Sequence, residues 1–348
     1  MRWLMIQPGP NFSVADVHNG WMEALRGLGQ HVAEYNLDRR ITFYDAVLMA
    51  DDLYDDEGRT AVHKALTREQ AIELATDGIL SKIMQMRYLD VVFITSAFFV
   101  PAWVLETIRF HGIKIVMLFT ESPYQDGGQL SMAKWADIAL LNDPVNISAY
   151  RDTAGRAEYM PHAYRPTIHY PPRPGAAREW DLAFVGTGFP SRVAFFEAMN
   201  LTGLQVKLAG PWLDLPEDSP LRDWEMTGHD ACIDNVETAG IYRQARTGIN
   251  FYRREAEDGH TGEGWAMGPR EVEMAACGLW FARDARPESD EVFPMLPAYT
   301  SPQEAAQLVR WAVTHERERE KAAAAARVAV WERTFSNNAR KLLAMLDH

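Results

Sequence analysis

Thirteen residues, Pro269–Phe281 (P-R-E-V-E-M-A-A-C-G-L-W-F), carry the types and spacing best suited to chemistry in this chain. An arginine and two acids open an Ala-rich helix that Gly278 ends, and an apolar strand follows. A helix N-terminus attracts anions through its free N–H groups and its dipole. Arg270 adds a fixed, fork-shaped cation at that end, with Glu271 beside it. Glu273, one turn in, has the reach to accept hydrogen bonds from sugar hydroxyls, as acids do for ribose in dinucleotide sites. Phosphate plus hydroxyls points to a nucleotide or a nucleotide sugar. The plainer alternative is a core helix whose acids favour its own N-terminus.

Two further segments could supply the same ligand. In Asp181–Arg192 (D-L-A-F-V-G-T-G-F-P-S-R) a strand runs into a glycine loop and then a helix. Gly186 and Gly188 permit close backbone approach, while Thr187, Ser191 and Arg192 bring donors. A dinucleotide fingerprint needs a third glycine where Ser191 stands, and an acid where the next strand ends in Gly210, so NAD does not fit. Gly248–Arg254 reads as the strand before the Pro269 helix, with Asn250 and Tyr252 on one side by the period of two. The following stretch, 255–268, reads either as a lid or as a solvated loop.

In the first half, the loop after the first strand holds Asn11, Asp16 and His18, and the loop after Lys114–Phe119 holds Glu121 and Tyr124. Both lie at expected C-terminal strand ends, where parallel sheets bind ligands. Glu121 or His18 could deprotonate a hydroxyl acceptor. Either could equally be a cap or a satisfied polar residue. His162 stands in a Pro-rich segment between the halves and is a further candidate for ligand contact. There is no nucleophile elbow, HExxH pair or Walker lysine loop, and Asp51-Asp52 and Asp55-Asp56 lack the spacing of a calcium loop. No metal or cofactor is expected.

The elements that must position these residues alternate. Strands are expected at Trp3–Gln7, His31–Tyr35, Val91–Thr95, Lys114–Phe119 and Ile138–Leu141, with helices at Asp16–Leu28, Arg68–Tyr88, Ala102–His111 and Met132–Trp135. Arg39–Thr60 reads as a loop or short insert. After the Pro cluster of Pro161–Pro174, a semi-rigid hinge by composition, the pattern restarts and continues to an amphipathic helix at Ser336–Leu346. Near-continuous apolar strands between helices imply an α/β fold of two doubly wound parallel sheets.

Length and charge bound the rest. At 348 residues two domains are the first expectation. The net charge of −13 weighs against extensive nucleic-acid binding or wide contact with anionic membrane, though not against a small basic cleft. Two cysteines and no long apolar run suggest a reducing, cytoplasmic setting without membrane insertion.

Four stretches, ESPYQ at Glu121–Gln125, MPHAYRP at Met160–Pro166, FVGTGFPSR at Phe184–Arg192 and GPREVEMAACG at Gly268–Gly278, resemble glycosyltransferases of the two-Rossmann-domain (GT-B) type. The nearest group in appearance is the spore-maturation CgeB-like one and its phage-encoded relatives. The resemblance implies an acceptor domain at 1–165, a nucleotide-sugar donor domain at 166–332, the two facing across a cleft, and a final helix, 333–348, returning to the first domain. It implies a UDP- or GDP-linked donor held by Gly186, Thr187, Arg192, Asn250, Tyr252, Arg270, Glu271 and Glu273. Asn11, Asp16, Tyr124 and His162 would serve the acceptor or sugar. The acceptor so implied is a phage or host protein, a modified DNA base, or a small molecule. Many such enzymes carry two glutamates bracketing the donor; Glu273 matches the second, but Trp265 stands at the first. Rival readings are a nucleotide-sugar epimerase or hydrolase on the same fold, and a non-catalytic glycan- or partner-binding protein.

Overall fold

The computed structural model describes residues 1–10, 12–54, 60–213, 215–228, 232–256, 259–260 and 264–347. They form two compact units, one of Met1–Asn142 with Asn146–Tyr159, the other of Asp143–Val145 with Met160–His348. The Pro-rich segment expected to be a hinge thus belongs to the second unit.

In the first unit the chain order is β1 (Arg2–Ile6), α1 (Phe12–Gly27), β2 (His31–Tyr35), α2 (Leu37–Asp45), β3 (Leu48–Tyr54), β4 (Thr60–Lys64) and α3 (Arg68–Gln85). Then come β5 (Val91–Thr95), α4 (Ala102–Phe110), β6 (Lys114–Phe119), α5 (Asp126–Ala133), β7 (Ile138–Leu141), α6 (Ile147–Thr153) and β8 (Ala157–Tyr159). Six strands pair in parallel in the order β2-β1-β5-β6-β7-β8. Every residue of β5 is buried, which explains its unbroken apolar run: Phe93 packs on Trp21 of α1, with ring centroids 5.1 Å apart, while Val92 and Ile94 join the cluster of α3 and α4 on the other face.

Two sequence expectations fail here. Arg39–Thr60 is not a loop, since most of it forms α2 and the first strand of the antiparallel β3–β4 pair; its acids masked a helix capped by Asn36, whose side chain accepts from Arg39 N at 2.8 Å. The helix expected at Met132–Trp135 lies earlier, at Asp126–Ala133, because Asp126, Gly127 and Gly128 read as turn residues.

The second unit runs β9 (Trp180–Val185), α7 (Pro190–Ala198), β10 (Val206–Ala209), β11 (Glu225–Thr227), α8 (Asn235–Gln244), β12 (Ala245–Asn250), β13 (Glu255–Ala256), β14 (Gly259–His260) and α9 (Pro269–Ala276). It ends with β15 (Trp280–Asp284), α10 (Pro287–Val292), β16 (Ala298–Tyr299), α11 (Pro302–Thr314), α12 (Glu316–Ala329) and α13 (Phe335–Leu346). The parallel order β11-β10-β9-β12-β15-β16 reverses direction between β9 and β12. In open α/β sheets such a reversal opens a crevice beyond the strand ends, where ligands bind. Strand β12 stops at Asn250, so Tyr252 lies beyond it and the period of two no longer relates the pair.

The Pro-rich segment is fastened along this unit. Asn338 Nδ2 donates to Pro161 O at 2.8 Å, Tyr164 bridges to Thr334, and Arg243 donates to Ile168 O at 2.9 Å. Among the described residues no helix is long and apolar enough to cross a membrane.

Candidate functional site

Both loops at the β9/β12 reversal carry residues singled out in the sequence. The first, after β9, is packed into place by its glycines. A Cβ on Gly188 would fall 2.4 Å from the Trp212 ring, and one on Gly210, whose φ is +105°, would fall 2.8 Å from Gly186 O. Only glycine lets these two turns approach so closely. Gly186 N and Gly188 N donate inward, to Ala209 O and Pro211 O, at 2.8 and 2.7 Å.

Arg192 spans the reversal. Its guanidinium donates to Thr187 O at 2.9 Å and to Phe251 O at 3.0 Å, tying the loop after β9 to the end of β12. The N-terminus of α7 is occupied from within, because Glu255 accepts from Ser191 N at 3.0 Å and Ser191 Oγ at 3.2 Å. A carboxylate therefore sits where a phosphate would bind.

The N-terminus of α9 differs. Gly268 is its N-cap and Pro269 its first residue. Glu271, fully buried, reaches back to accept from Gly268 N at 2.8 Å and from Ser289 Oγ at 2.6 Å, and Tyr252 Oη donates to it as well. Burial raises its carboxyl to about 7 and lifts the Tyr252 phenol far above its usual range. Glu271 and Tyr252 thus hold the helix entry from below.

Arg270 projects from that entry, about a quarter exposed, and its Nη1 donates to Glu273 Oε2 at 2.7 Å. Glu273 is buried, and its charge acts on His162, His169 and Tyr242. Burial drives the His162 imidazole down to about 4, against the pull of Glu273, so it is neutral at pH 7. Asn250 closes the strand end opposite: its Nδ2 is buried without a hydrogen-bond partner, and its Oδ1 lies 3.9 Å from where a Gly268 Cβ would be. A buried, unsatisfied donor beside a helix N-terminus suits an oxygen-rich ligand.

The segment leading into α9 is pinned by two acids that no motif marks. Asp143, from the 143–145 segment, accepts from Trp265 N at 2.9 Å and Ala266 N at 3.0 Å, and Arg286 lies 3.5 Å away. Burial pushes its carboxyl above the usual range. Glu288 accepts from Met267 N at 2.8 Å and from Arg333 at 2.8 Å. Arg286 stacks 4.0 Å over the Tyr252 ring. Asp143 stands 122 residues before Trp265, a separation that leaves no local spacing signal. The possible lid is, over 264–268, a held segment; Glu263 lies outside the described residues.

In the first unit, His18 on α1 is enclosed, its Nε2 3.3 Å from Glu34 Oε1 of β2 without hydrogen-bond alignment. The imidazole beside it holds Glu34 below the usual carboxylate range. Glu121 is partly exposed beyond the end of β6, within 3.5 Å of Thr120 Oγ1, which in turn meets Ser96 Oγ at 2.6 Å. Tyr124 N donates to Glu121 O, and Asp16 is partly buried on α1. Asn11 lies outside the described residues. Ser96, at the strand end with φ of 48°, carried no sequence signal. Among the described residues no group of three or more His, Cys, Asp or Glu could hold a metal.

Residues 192–344, a stretch within the second unit, match a family described as glycosyl transferase-like. Solved structures align over essentially the whole chain. Sucrose-phosphate synthase from Thermosynechococcus elongatus superposes with a TM-score of 0.62 at 12% identity, covering 100% of this chain and 98% of that one. The fold is GT-B.

An E. coli structure described as trehalose-6-phosphate bound with UDP-2-fluoro glucose gives 0.63 at 12% identity, with 100% and 99% covered. Anabaena HepE in complex with UDP-glucose gives 0.63 at 10%, with 99% and 100% covered. A search of curated proteins returned no match. The stretch of this GT-B chain that matches the family includes α9, which follows the strand beside the sheet reversal.

Proposed function

We propose that this protein transfers a sugar from a nucleoside diphosphate sugar to a hydroxyl-bearing acceptor. The observation that carries the reading is the entry of α9 at the sheet reversal, where Arg270, Glu273 and the unsatisfied Asn250 amide converge. In this reading Arg270 and the α9 dipole bear the charge that grows on the leaving diphosphate. Glu273 accepts the ribose hydroxyls. The loop of Gly186 and Thr187 flanks the nucleotide, while Arg192 holds that loop to the end of β12 rather than touching phosphate. Glu271 and Tyr252 act as supports of the helix entry. Uridine is favoured as the base because HepE and the E. coli protein are described with UDP-sugars.

His162, neutral and partly buried near Glu273, is proposed to contact the transferred sugar. Glu121 is the proposed base for an acceptor hydroxyl, with Tyr124 and Asp16 proposed to contact the acceptor. His18 is enclosed against Glu34, so it is the weaker choice. On the acidic balance of the chain, the proposed acceptor is a protein or small molecule, phage-derived or otherwise, before a modified DNA base.

The test is release of UDP from UDP-glucose, followed with and without candidate acceptors, together with NMR of the donor alone. Acceptor-dependent release with a largely intact donor in its absence supports transfer. Epimerised or hydrolysed donor would replace it with the rival enzyme readings.

A further inference from the structure

Independently of the donor site, the N-terminal edge of the first unit's sheet gathers cations around exposed apolar side chains. All six strands are parallel, so every helix-to-strand return lies on that one edge. The returns and first strand residues carry Arg2, Arg87, Lys114, Lys134 and Arg156 against Asp90 and Asp137, with Arg156 held by Glu158 of β8 at 2.9 Å. Both acids accept from backbone, Arg2 N and Ile115 N at 2.7 Å. Helices α1, α3 and α4 also place a cation in their last turns, at this same edge, while in α6 Arg151 stands beside Asp152. In a chain of net charge −13, this is a concentrated basic surface.

Helix dipoles account for last-turn cations, but not for what protrudes among them. Met84 and Tyr88 are 80% exposed and Phe110 is 87% exposed, at the ends of the adjacent helices α3 and α4. Hydrogen bonds lock the returns together: Arg2 donates to Arg87 O at 2.5 Å and Arg109 to Lys134 O at 3.1 Å. The apolar tips thus project from a firm base rather than from a free loop.

We infer that this rim docks on an anionic lipid bilayer, with Met84, Tyr88 and Phe110 entering the headgroup region and the surrounding cations meeting lipid phosphates. Nucleic acid would use the cations but gives no reason for three solvent-exposed apolar tips, whereas an interface of anionic lipid uses both. Attachment is peripheral and reversible.

The experiment is co-sedimentation of the full chain with phosphatidylcholine vesicles, with and without phosphatidylglycerol, at low and high salt. Three proteins are compared: wild type, Tyr88→Ala/Phe110→Ala, and Arg87→Glu/Lys134→Glu, each checked for an unchanged melting temperature. The expected result is salt-sensitive binding to the anionic vesicles only, reduced about fivefold or more in each double variant. Absence of anionic-vesicle binding would overturn the inference. So would binding that ignores Tyr88→Ala/Phe110→Ala, or equal retention on duplex DNA, since either makes the rim a general polyanion surface.

Discussion

Arg270 Nη1 donates to Glu273 Oε2 at 2.7 Å, so the cation that opens α9 and the acid one turn in fix each other's positions. The pairing orients both groups, as the proposed diphosphate and ribose contacts require, and it limits what a charge-conserving change can do. Arg270→Lys keeps a cation near Glu273 but loses the fork. Affinity for UDP-glucose, read by calorimetry, is expected to fall roughly ten- to a hundredfold, the worth of one charge-assisted hydrogen bond of ~1.5–3 kcal/mol. Unfolding in urea should change by less than about 1 kcal/mol, because the pair is partly exposed.

Glu271 is a structural acid. Its carboxylate satisfies Gly268 N, Ser289 Oγ and Tyr252 Oη at once. Glu271→Ala would leave these buried donors without an acceptor, and a loss of about 3 kcal/mol or more is expected in urea unfolding. Its raised pKa has a second consequence. The folded state holds a proton up to about pH 7, whereas the unfolded state releases it near 4.5. Relative to Glu271→Gln, the wild type should therefore lose stability as pH rises from about 4.5 through 7.

His162 gives the opposite slope. Its folded pKa is depressed to about 4 from 6.5, so the unfolded state binds the proton first as pH falls. Compared with His162→Asn, the wild type should lose stability between about pH 6.5 and 4 and match it in slope above that window. Parallel curves for the two proteins across the window would remove His162 from its buried setting.

The sheet strands were legible wherever burial on both faces made them continuously apolar. Val91–Thr95, Lys114–Phe119 and Ile138–Leu141 fall where their composition puts them. Helix α2 was not, because its stability comes from Leu37 and Ile41 packing into the core while two Asp and two Arg among its nine residues read as a polar stretch. The residues of the α9 entry were readable as a capped helix start because Gly268, Pro269, Arg270 and Glu271 stand together in a short span. Their roles were not: Glu271 turns inward as a cap, Arg192 clamps two loops, and Glu255 fills the α7 N-terminus, each decided by contacts between distant segments.

Asp143 is the residue whose importance only the fold reveals. Removing its carboxylate frees Trp265 N and Ala266 N and leaves Arg286 buried beside them. Asp143→Ala should destabilise the protein by about 2–4 kcal/mol, as expected for breaking a buried charged network. It should also speed amide exchange at 265–268 and raise the KM for donor, because that segment sets the entry of α9. Unchanged exchange at these amides would mean the segment is held by Glu288 alone.

The central claim is that α9 receives a nucleoside diphosphate sugar. The most direct test is the melting temperature of wild type and Arg270→Ala against UDP-, GDP- and dTDP-sugars. A ligand at a hundred times its Kd stabilises by about 2.7 kcal/mol. The account predicts a rise of a few degrees for wild type with one nucleotide class, UDP first, and little or none for Arg270→Ala. No rise with any of the panel, or an equal rise in both proteins, would contradict it.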